Sequence, residues 1–402
     1  MQIYPSPQPV VPVRRIRYFI FLKDIFVLAV TTFGGVQVHL AMMLDRLVTK
    51  RRYLTEAELL ELYALCQVLP GPTSTQTITA IGFKIGGPNL AYLSLLVWVM
   101  PSVLIMTAAA IGVYYLERHH LSLHFARFIQ PMAVGLLIVA GYRIGRKVVT
   151  NRLTLLLTAV AALAAYIFRS PYMTPIVIAC GGVITGLTYQ KQEKMAKTPL
   201  RIQWANFFLW LGVLIVAALL GHFTRLLPVR LFENFYRNGS LVFGGGQVLT
   251  PILYNEFVAF KHYLTREEFL TGFGLVQAIP GPVFAFASYI GALSMRGDGF
   301  HGQLLGSLVS TAGIFLPGTF LIFFVYRFWG QLKQYRPVRA SLEGINAAST
   351  GLTAAAAVAL FEPMAPHWPS VAVVLATILL LEFTRTPAYW LILGGLALGV
   401  VF

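Results

Sequence analysis

The hexapeptide Gln67-Val68-Leu69-Pro70-Gly71-Pro72 returns later in the chain as Gln277-Ala278-Ile279-Pro280-Gly281-Pro282, 210 residues on. Phe33-Gly34-Gly35-Val36-Gln37 returns as Phe243-Gly244-Gly245-Gly246-Gln247, and Tyr53-Leu54-Thr55 as Tyr263-Leu264-Thr265, at the same spacing. Three motifs in one register mark a duplicated chain, so the fold has to be two copies of one architecture. Further on the offset becomes 216: Pro101 answers Pro317, Gly135 answers Gly351, and Arg169-Ser170-Pro171 answers Arg385-Thr386-Pro387. The organisation read from this is a cytoplasmic tail (1–16), an N-terminal repeat (17–190), a basic connector with one extra helix (191–227) and a C-terminal repeat (228–402).

Between its motifs the chain is too apolar for a soluble surface. Of its 402 residues 57% are hydrophobic and 11% charged, against about 25% charged in soluble domains. Lipid is therefore the solvent for most of it. The net charge of +16 fits cytoplasmic loops, where Lys and Arg collect. The cations are scattered singly between apolar spans, which excludes nucleic acid as a partner. Cys66 and Cys180 are the only cysteines, both inside apolar segments, so neither a disulfide framework nor a Cys/His metal site is expected. Three aspartates and no nucleotide, zinc-hydrolase or serine-hydrolase fingerprint leave an enzyme without its parts. No cofactor is expected.

One apolar segment, Trp204 to His222, has no counterpart in the first half. Its length suffices for a single crossing of ~30 Å of hydrocarbon, and one unpaired crossing between two repeats turns the second upside down. The charges agree. Arg143, Arg146, Lys147 and Arg152 make one loop basic, while its counterpart from Glu362 to Pro369 has no Lys or Arg. The turn near Glu117-Arg118 is weakly basic, while its counterpart carries Arg327, Lys333, Arg336 and Arg339. The basic side switches between halves, as an inverted repeat requires. With a basic connector (Lys191, Lys194, Lys197, Arg201), the N-terminus is expected inside and the C-terminus outside.

The expected fold is thus an all-α integral membrane protein of two inverted repeats joined by one transmembrane helix. Full spans are expected at about 89–116, 126–148, 153–169 and 171–189, and at 302–327, 340–361, 369–384 and 386–402. The motif segments differ. Residues 56–86 form a helical stretch broken by Pro70-Gly71-Pro72, since proline removes a donor and clashes with the preceding turn. Two half-helices, about 56–69 and 73–86, are expected, and 18–46 is interrupted in the same manner at Gly34-Gly35. If the broken pairs cross, the chain has 13 membrane segments; if they are re-entrant, nine cross.

Backbone that is not helical survives in a membrane only where protein buries it or it lines a cavity. Matching interruptions in two halves therefore point to a transport site. The half-helix beginning at Thr73 offers free N–H groups and the positive end of its dipole. Its first turn, Thr73-Ser74-Thr75-Gln76-Thr77, supplies neutral donors for an oxyanion, and the same residues would also serve as a simple helix cap. The corresponding turn of the second half, Val283-Phe284-Ala285-Phe286 with Ser288 beyond, is apolar, so the site is expected to be asymmetric. The candidate substrate-binding set is Gly34, Gly35, Gln67, Gly71, Thr73, Ser74, Thr75, Gln76, Gly245, Gly246, Gln247, Gln277 and Gly281. The glycines equally suit close helix packing. Candidates for proton coupling are His39, Lys84 and Glu256, with Asp45, Glu58 and Glu61 read mainly as helix ends and Lys84 as a snorkelling cation.

Phe33-Gly34-Gly35 with His39 and Met42, followed by Gln67-Val68-Leu69-Pro70-Gly71-Pro72-Thr73-Ser74-Thr75-Gln76, resembles the N-terminal half of the chromate ion transporter family. Phe243-Gly244-Gly245-Gly246-Gln247 and Gln277-Ala278-Ile279-Pro280-Gly281-Pro282-Val283-Phe284, with Pro101 and Phe315-Leu316-Pro317, resemble the rest of its long, two-domain form. The resemblance implies efflux of chromate from the cytoplasm across a bacterial inner membrane, and hence resistance. Sulfate, isosteric with chromate and of equal charge, stays open as substrate, as do an anion channel as mechanism and a homodimer as assembly.

Overall fold

The computed structural model describes residues 18–401 apart from 34–35, 120–126, 169–172, 189–201, 244–245, 330–334 and 385. Every regular element among them is helical. In the first half these are α1 (Tyr18–Thr31), α2 (Val36–Met43, continued by a π-helical stretch Leu44–Lys50), α3 (Glu56–Val68), α4 (Thr73–Arg118), α5 (Ile129–Val148), α6 (Arg152–Phe168) and α7 (Met173–Leu187). Then come α8 (Ala205–Thr224) and α9 (Leu227–Gly239), and α10 (Gly246–Tyr254, continued by a π-helical stretch Asn255–Phe260). The chain finishes with α11 (Arg266–Ala278), α12 (Phe286–Ser294), α13 (Gly299–Val325), α14 (Arg336–Phe361), α15 (Trp368–Phe383) and α16 (Ala388–Val401).

Local chemistry repeats along with the motifs. Thr55 and Glu58 form a reciprocal capping box at the start of α3, and Thr265 and Glu268 form the same box at α11, so each new helix has its first orphan donors satisfied. Arg52 and His262, three residues before each box, are both left-handed at φ 54°. The expected breaks are present. Leu69 and Ile279 precede prolines and are extended (ψ 147° and 156°), because a following proline disfavours the helical region. The half-helix from Thr73 ends at Gly86 and Gly87, which interrupt α4 with φ −144° and +71°.

Four stretches among the described residues are long and apolar enough to cross a membrane: 73–116, 205–224, 296–328 and 340–361. Six further apolar helices have 10–17 residues, at most about 26 Å at ~1.5 Å per residue. Large apolar side chains face outward along α6 (Leu155, Leu156, Leu163, Ile167) and α8 (Phe208, Val216, Leu220, Phe223). Exposure on that scale is stable only against lipid.

The helices gather around two long ones, α4 and α14. α4 packs with α1, α3, α12 and α13, and α8 and α9 pack with α13; α14 carries α5, α6 and α7, while α11 packs on α5, α16 and α4 and α10 packs on α14, joining the two groups in one core. Around each of these, helices of both halves of the chain meet. α14 lies on α6 and α7, approaching so closely that a Cβ on Gly181 would sit 2.5 Å from the Gly344 carbonyl oxygen; α5 lies on α15 and α16.

Buried charge is placed with the same periodicity. Asp24 on α1 is fully buried and accepts from Arg46 (2.8 Å), Arg51 (2.8 Å) and the Tyr53 hydroxyl (2.7 Å). Across the 210-residue offset, Glu256 takes the place of Arg46 and Lys261 that of Arg51. Glu256 is buried and pairs with Arg237 (3.1 Å) and Lys261 (2.8 Å). The carboxylate has moved from the first helix of the repeat to its π-helical stretch, and the same two elements remain tied. Buried ions of this kind persist only when paired.

Candidate functional site

The two breaks meet. The N–H of Gly71 donates to the Val242 carbonyl (2.7 Å), and the N–H of Gly281 donates to the Thr32 carbonyl (3.0 Å). Gly281 is the repeat counterpart of Gly71 and Val242 that of Thr32, so the two bonds form a reciprocal pair, the pattern of a two-fold contact. Both glycines have positive φ, 121° and 101°, which L side chains adopt only under strain. Gly71 also packs with Gly318, and Gly281 with Ser102, again at equivalent positions of the two halves. Thr32 and Val242 lie two residues before the double glycines in sequence, so each proline-glycine break is held against the end of the segment that leads into the glycines of the other half.

The first turn of α4 opens from this junction. Thr73, Ser74, Thr75, Gln76 and Thr77 are all buried, none more than 6% exposed. The Gln76 N–H donates to the Pro72 carbonyl (2.8 Å), and helix geometry leaves the N–H groups of Thr73, Ser74 and Thr75 without an intrahelical acceptor. Gln76 Nε2 donates to the Pro70 carbonyl (2.7 Å), while its Oε1 is buried with no hydrogen-bond partner among the described residues. Thr77 and Thr79 turn their hydroxyls back onto the Thr73 and Thr75 carbonyls (2.8 and 2.9 Å). Trp98, from the second part of α4, donates its indole N–H to Thr75 Oγ1 (3.2 Å). His39 of α2 stands edge-on to Trp98 with ring centroids 5.4 Å apart. One wall of this turn is thus fixed by internal bonds, with the positive end of the helix dipole at its start.

The equivalent turn of the second half is built differently. Val283–Ala285 is a tight 3₁₀ turn, with the Ala285 N–H donating to the Pro282 carbonyl (3.0 Å), before α12 begins. Phe284 is buried against Phe315, and the Ser288 hydroxyl donates to the Ala285 carbonyl (2.7 Å). This turn offers apolar packing where its counterpart offers hydroxyls and an amide.

Of the sequence candidates, Gly71, Gly281, Thr73, Ser74, Thr75 and Gln76 gather at the junction, and His39 joins them through Trp98. Gln67 is exposed on the last turn of α3, bonded to Tyr63, and Gln277 is half-buried on the last turn of α11. Gly246 opens α10 and Gln247 follows within it. Gly34, Gly35 and Gly245 lie outside the described residues. Lys84 is ion-paired with Glu58, the capping-box glutamate of α3, and Glu256 belongs to the buried ion cluster. Among the described residues there is no group of His, Cys, Asp and Glu able to hold a metal. Sequence reasoning missed Trp98, which reads as one more aromatic in an apolar span, and Asp24. The signal for Asp24 was present: an intramembrane carboxylate is rarely placed without a partner.

A helical bundle with lipid-facing apolar surfaces and broken helices meeting inside it defines a multi-pass membrane protein. The sequence profile of the chromate transporter family matches residues 19–187 and 229–400. The chain belongs to that family. It is 27% identical over 348 residues to a chromate transport protein of Pseudomonas aeruginosa (85% of this chain, 80% of the relative). It is 23% identical over 382 residues to a chromate transport protein of Cupriavidus metallidurans (92% and 89%). A probable chromate transport protein of Synechococcus elongatus is 26% identical over 330 residues (82% and 80%). No solved structure matches the chain at a significant level.

Proposed function

We propose that this chain is a secondary transporter that exports chromate, and not an enzyme. In this reading the tetrahedral dianion binds at the start of α4, between the two breaks. The observation that carries the reading is the buried polar turn Thr73–Thr77 at a helix start inside an apolar bundle. Free amides and neutral hydroxyls there stabilise negative charge without a fixed cation that would hold the ion too tightly to release. The chromate transport proteins among its relatives support the substrate class.

The repeats, 17–190 and 228–402, are inverted about an axis in the membrane plane and rock about the bound ion to give alternating access. The reciprocal Gly71–Val242 and Gly281–Thr32 bonds support this, since they are what a two-fold relation between halves produces. The N-terminus faces the cytoplasm and the C-terminus the outside of a bacterial inner membrane, following the distribution of Lys and Arg. Export of a dianion across an inside-negative potential of 100 mV releases about 4.6 kcal/mol, enough to drive efflux without a second gradient. His39, packed on the tryptophan that bonds Thr75, is the residue through which a proton gradient would act. Potential drive alone predicts flux independent of the pH gradient at clamped potential.

The test is uptake of radiolabelled chromate into inside-out vesicles, with and without excess sulfate, for the intact protein and for Thr73→Val. Saturable, energised uptake weakened by Thr73→Val supports the site. If chromate stays outside while labelled sulfate enters, the substrate is sulfate, which has the same shape and charge. Flux that neither saturates nor shows counterflow would make the protein a channel.

A further inference from the structure

α8 is the helix with no counterpart in the other repeat, and an apolar cavity lies on it. The cavity is a groove of about 500 Å³ between α8 and α9, lined by Phe208, Gly212, Val216 and Leu220 on one side and by Val229 and Phe232 on the other, with further apolar residues completing it. It runs from Phe208 to Leu220, about 18 Å at ~1.5 Å per residue, against the ~15 Å hydrocarbon depth of one leaflet. A partner helix crossing the bilayer would need a groove of roughly twice that length. At the Leu220 end sit Arg225 and Arg230, both exposed and neither paired with an acid among the described residues. The Arg230 stem packs at Gly221, one residue beyond the groove.

We propose that this groove binds an anionic phospholipid, one acyl chain lying along α8 between Phe208 and Leu220 and the phosphate held by Arg225 and Arg230. The length of the groove selects a chain of one leaflet, and the two unpaired guanidinium groups at its end select a negative headgroup, since arginine donates to phosphate in a bidentate fork. The site is independent of the oxyanion site, which lies at the breaks of α3–α4 and α11–α12, and it occurs once because α8 occurs once.

The test is native mass spectrometry of the full chain in detergent, titrated with phosphatidylglycerol or with phosphatidylcholine of the same acyl composition. The wild type should bind phosphatidylglycerol the more tightly, by roughly thirty-fold if each arginine contributes as a cation at a lipid surface does. Arg225→Gln/Arg230→Gln should remove the preference and leave phosphatidylcholine binding unchanged. Gly212→Phe should weaken both lipids; a Cβ at Gly212 meets nothing within 4 Å, so this variant fills the groove without disturbing the helix. Equal binding of the two lipids by the wild type, or a preference that survives both variants, overturns the proposal. So does a protein dimer that forms without lipid and is lost in Gly212→Phe, which would make the groove an interface between copies.

Discussion

Gly71 and Gly281 occupy equivalent places in the two repeats, yet alanine should not be tolerated equally at them. At both positions a methyl group forces an L residue into positive φ, a strain of about 1–3 kcal/mol. At Gly71 the new Cβ would stand 2.8 Å from Gln76 Nε2, and moving that amide breaks its bond to the Pro70 carbonyl. Leaving a buried amide unsatisfied adds about 1–3 kcal/mol. At Gly281 the nearest atoms are Ser102 Oγ and Cβ, 3.0 and 3.1 Å away, a milder contact that a small shift of Ser102 relieves while its hydroxyl keeps its bond to the Val99 carbonyl. Gly71→Ala should therefore cost about 2–6 kcal/mol and Gly281→Ala about 1–3. The assay is SDS-induced unfolding of the purified protein in mixed micelles, followed by tryptophan fluorescence, with vesicle uptake in parallel. Ser102→Gly, which copies Gly318 of the other half, should return part of the stability lost in Gly281→Ala. Equal midpoints for the two alanine variants, or a larger loss at Gly281, would refute the role given to Gln76.

Asp24→Asn removes the charge that two part-exposed arginines and Tyr53 share and should cost about 1.5–3 kcal/mol, whereas Asp45→Asn, whose partner Lys50 is exposed as it is, should cost less than about 1; the same unfolding assay separates them. Trp98→Phe keeps the ring but removes the N–H that Thr75 accepts, and should lower stability by about 1 kcal/mol and reduce saturable chromate uptake in the vesicle assay. Thr55→Val and Thr265→Val each remove one capping box, and losses of about 1 kcal/mol are expected at both, measured as matched shifts in the unfolding midpoint.

The helix breaks were legible in the sequence because their causes are local. Proline fixes the residue before it, glycine permits positive φ, and Thr-x-x-Glu caps the helix it opens, so 56–68 and 73–86 can be drawn from neighbours alone. The helices drawn from unbroken apolar runs agree in their bounds with α5–α7 and α14–α16 within a few residues, but of the eight expected as full spans only 89–116, 302–327 and 340–361 fall, among the described residues, in stretches long and apolar enough to cross. The start of the second half-helix was not legible, since Val283–Phe286 gives no sign of choosing a 3₁₀ turn over an α turn. Nor were the ion clusters: Asp24 meets Arg46, Arg51 and Tyr53 only after α1 and the stretch behind α2 have packed. Glu256 stands out in the sequence as an isolated acid and emerges as one member of a group with Glu233, Arg237 and Lys261. Which helices of one half would lie on which of the other was likewise beyond the sequence, because contacts such as Gly181 with Gly344 carry no local mark.

The crossed bonds at the breaks also set an order of assembly. Gly71 leaves the ribosome 171 residues before Val242, the group that accepts its N–H, and Thr32 waits 249 residues for Gly281. At ~5–20 residues per second the first half spends about 10–50 s in the membrane with its central donor and acceptor open. During that interval the proline-glycine turn needs water, the insertion machinery or a neighbouring chain to cover it. A ribosome that pauses within α8 therefore prolongs the most vulnerable stage of biogenesis, and supplying the second half as a separate polypeptide should rescue a first half stalled there.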